Sequence, residues 1–309
     1  MIHNFSPTRF HNSLGSHEAV LTVSDGDSVI TATLDAHGFD FDGKKRGDKP
    51  NPMTGPFHVS GAEPGDVLRV VIQRITMTRP TGWTFQVLSP NVVNPAAVSR
   101  FPERQVTDWI IEMATNRAML ANPPDSLRNW SVPVWPMIGC FGVAPAMGQS
   151  ISTATSGPYG GNMDYRGFAA GIEVRFPVSV PGGLFFLGDV HAAQGDGEIV
   201  GTGIETAAEV EFTVHVIKAK QIGWPRGISK ADIFTIGNAR PLDQALQHAT
   251  TEMLDWLMAD YGLDEVATSH LMGQAVRYDV ANVFNPAYSV VCRIGKEWLK
   301  DFTEMGRKP

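Results

Sequence analysis

Cysteine is nearly absent: Cys140 and Cys292 are the only two among 309 residues, and they lie far apart in the chain. That excludes a disulfide framework and a cysteine-based metal knuckle, and both thiols read as small buried hydrophobes in a reducing compartment. Basic charge is scarce too. The 25 Lys and Arg against 32 Asp and Glu leave a net charge of −7, with no basic run longer than Lys44-Lys45-Arg46. This argues against a nucleic-acid-binding surface. No segment approaches the roughly 20 uninterrupted apolar residues of a membrane helix. The first residues, Met1-Ile2-His3-Asn4-Phe5, have no basic region followed by an apolar run, so no signal peptide is read there. The expectation is a soluble cytoplasmic protein with no membrane partner. Internal repeats and low-complexity segments are missing. So are the H-E-x-x-H of a zincin, the G-x-S-x-G elbow of a serine hydrolase and a Walker loop.

What is plentiful is turn-forming residues and apolar surface. The 31 glycines and 21 prolines point to many turns and a β-rich chain. The 43% hydrophobic content allows a substantial core and makes wholesale disorder improbable. Ala19–Val23 and Ser28–Leu34, joined by Asp25-Gly26-Asp27, read as a hairpin. Glu63-Pro64-Gly65-Asp66 reads as a hairpin turn before the strand Val67–Ile72. Residues 80–130, with Trp83, Trp109 and Trp130 and several prolines, read as irregular. The stretch 207–217 alternates in its second half like a half-buried strand, with Glu209, Glu211 and His215 on its solvated face. One helix is expected from Asp243 to Tyr261, carrying Leu246, Ala249, Met253, Leu254 and Leu257 at helical spacing and closed by Gly262. A second follows from about Leu263 to Met272, then strands at Gln274–Val280 and Tyr288–Ile294.

Chemistry concentrates in Gly188-Asp189-Val190-His191-Ala192-Ala193-Gln194-Gly195-Asp196-Gly197-Glu198, where an apolar strand opens into a glycine-rich loop. Asp189 and His191 are two apart, so on an extended strand they share a face. Asp35 and His37 repeat that spacing at the end of the earlier run, although His37 alone reads equally well as a structural histidine. Asp35, His37, Asp189 and His191 together make a mixed N/O ligand set for a divalent metal. Zinc accepts such ligands and in catalytic sites keeps a position for water, whose pKa falls toward 7. Glu205 or Glu198 stands near enough in sequence to act as general base. Gly157-Pro158-Tyr159-Gly160-Gly161-Asn162-Met163-Asp164 reads either as a backbone nest for an oxyanion or as a plain turn.

Several of these pieces together resemble the acetamidase/formamidase family. They are Asn51-Pro52-Met53-Thr54-Gly55-Pro56 with Gly61-Ala62-Glu63-Pro64-Gly65-Asp66, Gly142-Val143-Ala144-Pro145-Ala146, Gly160-Gly161-Asn162-Met163-Asp164, and the stretch 188–198, which is the longest and most specific. The resemblance runs from about residue 10 to about 295. It implies hydrolysis of the C–N bond of short linear amides to ammonia and a carboxylate, a divalent metal such as zinc, and a homo-oligomer. It also implies an α+β, mainly β fold of sandwich- or barrel-like sheets with a smaller C-terminal α/β portion. A β-rich domain over 1–220 would carry most of the site, and a smaller α+β portion over 221–309 would pack against it. By resemblance, Asn162, Asp164, Asp189, His191, Gln194, Asp196 and Glu205 are site neighbours, with Glu205, Asp164, Asn162 and Gln194 as the catalytic candidates. His37 departs from the pattern expected of many relatives and reads as an added ligand or a change in the substrate pocket. Two other readings stay open: a hydrolase of another C–N compound, and a non-catalytic β protein binding a metal or small molecule.

Overall fold

The computed structural model describes residues 1–302. β-Strands dominate, and they form two large sheets. The nine-stranded sheet runs in the order Ile2–Phe5, Ser28–Ala32, Ala208–Ile217, Val67–Met77, Glu173–Pro177, Arg226–Ile228, Asp232–Ala239, Tyr288–Gly295 and Val276–Asn282. The eleven-stranded sheet is centred on Phe185–His191, flanked by Met137–Val143 on one side and Glu205–Thr206 on the other. Both are open, so the barrel-like alternative gives way to the sandwich.

Alternation explains the sandwich. Along Ala208–Ile217, Val210, Phe212 and Val214 are fully buried, while Glu209 and Glu211 face outward and share Arg74. The inward residues meet their counterparts from the other sheet: Phe57 and Phe185 lie 5.3 and 5.1 Å from Phe212, and Phe141 lies 5.4 Å from Phe176. Offset and edge-on aromatic pairs of this kind add to plain area burial. Arg226–Ile228 hydrogen-bonds directly onto Glu173–Pro177 and carries the later strands with it, and Phe234, Ile236 and Val291 join the same core. No helix among the described residues is long and apolar enough to cross a membrane.

The expected hairpin across Asp25-Gly26-Asp27 does not form. Leu21–Val23 pairs in parallel with Thr54–Val59 in the eleven-stranded sheet, whereas Ser28–Ala32 joins the nine-stranded one. The turn carries the chain from one layer to the other, which lets Val23 and Val29 bury themselves in the common core from opposite sheets. Asp27 fastens it, accepting from Ser24 N–H, the N-terminal ammonium and His3. Glu63-Pro64-Gly65-Asp66 is likewise a crossover between sheets, from Thr54–Val59 to Val67–Met77.

The region expected to be irregular holds three antiparallel strands, Thr81–Phe85, Val106–Glu112 and Arg117–Leu120. Trp109 and Ile111 point inward, but the outward positions Val106 and Ile110 are apolar as well, so no polar–apolar alternation marks the strand. Both helices form, as Leu242–Tyr261 and Glu265–Ala275. The first buries Ala249, Met253 and Leu257 as expected, together with Ala245 and Trp256, while Leu254 is half-buried and Leu246 exposed. Two acidic residues share the buried stripe because each has a cation, Glu252 with Arg226 at 2.5 Å and Asp260 with Lys220 at 2.6 Å.

Candidate functional site

Every residue of the strand Phe185–His191 is buried. Near its end the backbone of Asp189 turns left-handed, with φ of 58°. The neighbouring pairs Ile138 with Val190 and Cys140 with Gly188 leave Asp189 opposite Gly139. A Cβ at Gly139 would stand 2.5 Å from Asp164 Oδ1 and 2.9 Å from Asp189 Oδ2. Only glycine there lets the two carboxylates approach one another. Asp189 and His191 are therefore brought together by a kink rather than by the simple pleat of an extended strand: Asp189 Oδ1 lies 3.5 Å from His191 Nε2. Four polar residues of the site, Asn51, Asp164, Asp189 and Glu198, hold positive φ. Such conformations are costly for residues with a side chain and cluster where surrounding structure imposes them.

The imidazole is oriented by Gln194. Gln194 Nε2 donates to Asp164 O and to Ala281 O, which turns its Oε1 toward His191 Nδ1 at 2.8 Å. With the amide so fixed, Nδ1 carries a hydrogen, and in the neutral ring it is Nε2 that keeps its lone pair. Nε2 lies 3.0 Å from Glu205 Oε1 but without the alignment of a hydrogen bond.

The carboxylates follow one pattern. Asp164 Oδ2 accepts from Asn285 at 2.6 Å and Asn282 at 3.3 Å, and Asp189 Oδ2 accepts from Asn51 at 3.1 Å. Glu205 Oε1 accepts from Gly203 N–H at 3.1 Å. In each the second oxygen has no partner. Asp164 Oδ1, Asp189 Oδ1, His191 Nε2, Glu198 Oε2 and Glu205 Oε2 are all buried and unbonded. Buried polar atoms seldom stay unpaired without a reason. One potential ligand atom each from Asp164, Asp189 and His191 lie within 4.8 Å of one another, and the same holds for His191, Glu198 and Glu205.

Electrostatics point the same way. Burial, then the charge of Asp189, pushes the Asp164 carboxyl up to about 7. Burial, then Asp164, raises Glu198 well above the carboxylate range. Burial raises Glu205 far up in spite of the opposing pull of His191. Burial alone would lower His191, yet Glu205 and Asp189 hold it well above the ordinary histidine value. By itself the cluster gathers protons. A divalent cation would supply that positive charge in one particle, and an imidazole nitrogen with several carboxylate oxygens is a donor set that zinc and other divalent ions accept. The residues present fit such an ion.

Beside the cluster lies a cavity of about 300 Å³. Its polar lining includes Asn51, Asn162, Asp189, Glu198, Glu205 and Asn285, with Lys49, His37 and Thr202 beside them, and its apolar lining includes Ala36, Trp83, Phe85 and Phe284.

The structure thus gathers Asp189 and His191 with Asp164, Asn162, Gln194 and Glu205. It does not bring Asp35 or His37 into either group of potential ligands. Both oxygens of Asp35 are engaged: Oδ1 accepts from the His37 and Phe39 N–H groups, and Oδ2 accepts from Arg79 Nη2 at 2.7 Å and Trp83 Nε1 at 3.2 Å. His37 instead stacks on Trp83, with centroids 3.9 Å apart, and lines the cavity. Asp196 turns away to Arg166 at 2.7 Å. Gly160–Asn162 is a strand paired on both sides, and the Asn162 N–H donates to Thr155 O, so these amides serve the sheet rather than an oxyanion nest. No sequence signal marks Asn282, Asn285, Gly139 or Gly203, whereas Trp83 belongs to the aromatic stretch 80–130 and does line the cavity. Asn51 stood within a motif already singled out, but without a role.

A model of the Acetamidase/Formamidase family matches residues 3–151 and 148–248. The chain is 28% identical to a predicted acetamidase/formamidase of Thermoanaerobacter tengcongensis, with a TM-score of 0.86 over 98% of both chains. It is 30% identical to an acetamidase of Yersinia enterocolitica, with a TM-score of 0.84 over 97% of this chain and 93% of that one. A formamidase of Methylophilus methylotrophus is 23% identical over 301 residues, covering 83% of this chain and 68% of that protein. The chain spans between 59% and 68% of the length of the curated relatives it matches.

Proposed function

The chain belongs to the acetamidase/formamidase family, and on that premise we propose that it is a metal-dependent amidohydrolase that cleaves the C–N bond of a small primary amide to ammonia and a carboxylate. The observation that carries this reading is the set of five buried, unpartnered ligand atoms beside a cavity. Asp164, Asp189 and His191 would hold the ion. Bound there, it would supply Lewis-acid polarisation of the carbonyl and acidification of water. Gln194 keeps His191 in the tautomer that leaves Nε2 free, and the asparagines Asn51, Asn282 and Asn285 keep one oxygen of each aspartate occupied so that the other faces inward. Glu205, anchored at Oε1 by Gly203 N–H, takes a proton from the attacking water at Oε2 and returns it to the leaving nitrogen. Asn162, its Oδ1 already accepting from Asn51, offers its Nδ2 to the carbonyl oxygen. Water and amide in, carboxylic acid and ammonia out, which become carboxylate and ammonium once the acid's proton passes to the ammonia, the step balances without a further reactant.

Ammonia release from formamide, acetamide and longer primary amides, by metal-loaded and chelator-stripped protein, tests this. Activity that vanishes with the metal and returns with zinc is the expected result. Bound metal with no release from any amide would sink the hydrolase reading in favour of a binding protein. Zinc as the native ion and a homo-oligomeric, cytoplasmic enzyme belong to the same reading. Metal analysis, light scattering of the purified protein and cell fractionation check them.

A further inference from the structure

His37 and Trp83 take no part in holding the ion or moving the proton, yet they are held with care. Trp83 is 7% exposed, its Nε1 is bonded to Asp35, and Arg79 neutralises that carboxylate from the other side. His37, whose N–H donates to the same Asp35, lies flat on Trp83 with an interplanar angle of 16°. Phe85 and Phe284 also line the cavity, and the Arg104 guanidinium lies over both rings, at 3.6 and 4.6 Å, while donating to Val200 O. Two braced aromatic groups thus border the space into which the amide's acyl substituent must extend, since the polar end is taken up by the asparagines and carboxylates. The space is large for a short amide. At ~30 Å³ per water, about 300 Å³ is the room of roughly ten waters. Acetamide, with four non-hydrogen atoms, fills less than half of it. Rigid aromatic surface beside unfilled volume favours a flat apolar group over solvent.

Resting on the amidohydrolase reading, we propose that the cavity selects primary amides whose acyl substituent is a planar ring, seated against the aromatic wall that His37 and Trp83 form. His37 is then a specificity-determining residue rather than a metal ligand.

The test is a panel of formamide, acetamide, benzamide and nicotinamide assayed for ammonia, with binding of benzamide followed separately by ligand-observed NMR. The ring amides are expected to show the higher kcat/KM. His37→Ala is expected to lower the benzamide-to-acetamide ratio about two- to tenfold, the range of one lost stacking contact, and to do so through KM. His37→Gln, which keeps a polar side chain without the ring, repeats the measurement if the alanine variant fails to fold. Acetamide turned over as well as benzamide, or a ratio indifferent to both variants, overturns this substrate class and leaves the amidase reading intact. If no amide is hydrolysed, the amidase reading falls. Benzamide binding that weakens in the His37 variants would then still support the planar-ring pocket, and absence of binding would overturn it too.

Discussion

Gly203→Ala puts a single methyl group against the one imidazole of the cluster. The added Cβ would lie 2.4 Å from His191 Nδ1 and 2.5 Å from its Cγ, where ordinary contact begins at 3.4 Å. The Gly203 backbone is not in the left-handed region, so alanine is acceptable to its own torsions and the effect falls on His191, whose Cβ at 2.8 Å is crowded along with the ring. The ring must retreat by about one ångström, and its hydrogen bond to Gln194 is lost or bent. Overpacking a tight interior costs about 1–3 kcal/mol and one hydrogen bond about 1 kcal/mol, together roughly 2–4 kcal/mol. With an unfolding entropy of about 2.1 cal/mol/K per residue, a chain of this length loses about 1.5 °C per kcal/mol, so Tm falls by about 3–6 °C. A ligand displaced by an ångström is expected to cost about a hundredfold in kcat/KM, and metal affinity should fall with it. Calorimetry of unfolding, calorimetric metal titration and the ammonia assay read the three effects. Gly273→Ala, on the helix Glu265–Ala275 with open space around the new Cβ, is the contrast and should stabilise by up to ~1 kcal/mol. A Gly203→Ala protein with wild-type metal affinity and activity would refute the placement of His191 at the centre of the site.

Asp35→Ala should lower stability by about 3–5 kcal/mol, because it leaves Arg79 buried and uncompensated; the metal content of the purified variant should be unchanged, and loss of metal would restore Asp35 as a ligand. In chelator-stripped protein the Asp164 carboxyl, raised to about 7 from an ordinary 3.8, keeps a proton that the unfolded chain gives up across that interval. Its contribution to stability therefore falls as pH rises from about 4 to about 7. His191, raised well above 6.5, adds stability that is fully present below 6.5 and is lost as pH climbs through its folded value. The stability of wild type relative to Asp164→Asn, both stripped of metal, is expected to decline over pH 4 to 7, and a rising difference would contradict the electrostatics of the cluster. Metal affinity should climb over the same interval as protons cease to compete.

Some of this was readable in the residues and some was not, for identifiable reasons. The stretch 188–198 pointed to Asp189 and His191 because glycine-flanked carboxylate and imidazole groups at a strand end have few structural uses. The same spacing at Asp35 and His37 misled: there Asp35 accepts from the N–H groups of His37 and Phe39 in a local turn, which two-residue spacing cannot distinguish from a ligand pair. Asn285 approaches Asp164 across 121 residues, and nothing in its local sequence signals that. The helix ending at Gly262 is plain from period and cap, but its buried stripe is wider than its apolar residues show, because Glu252 and Asp260, polar in sequence, are neutralised in place by Arg226 and Lys220. The hairpin read across Gly26 failed because two adjacent β-branched runs look alike whether they pair with each other or part into separate layers.

The left-handed residues of the site have a consequence for the lineage rather than for the molecule. Asn51, Asp164 and Asp189 belong to types that tolerate such backbone, but Glu198, at φ of 48°, does not. Glycine at that position would relieve about 1 kcal/mol or more of strain. A descendant free to lose that carboxylate would thus drift toward greater stability, and glycine at position 198 would mark a copy that has kept the scaffold and given up one carboxylate of the group around His191.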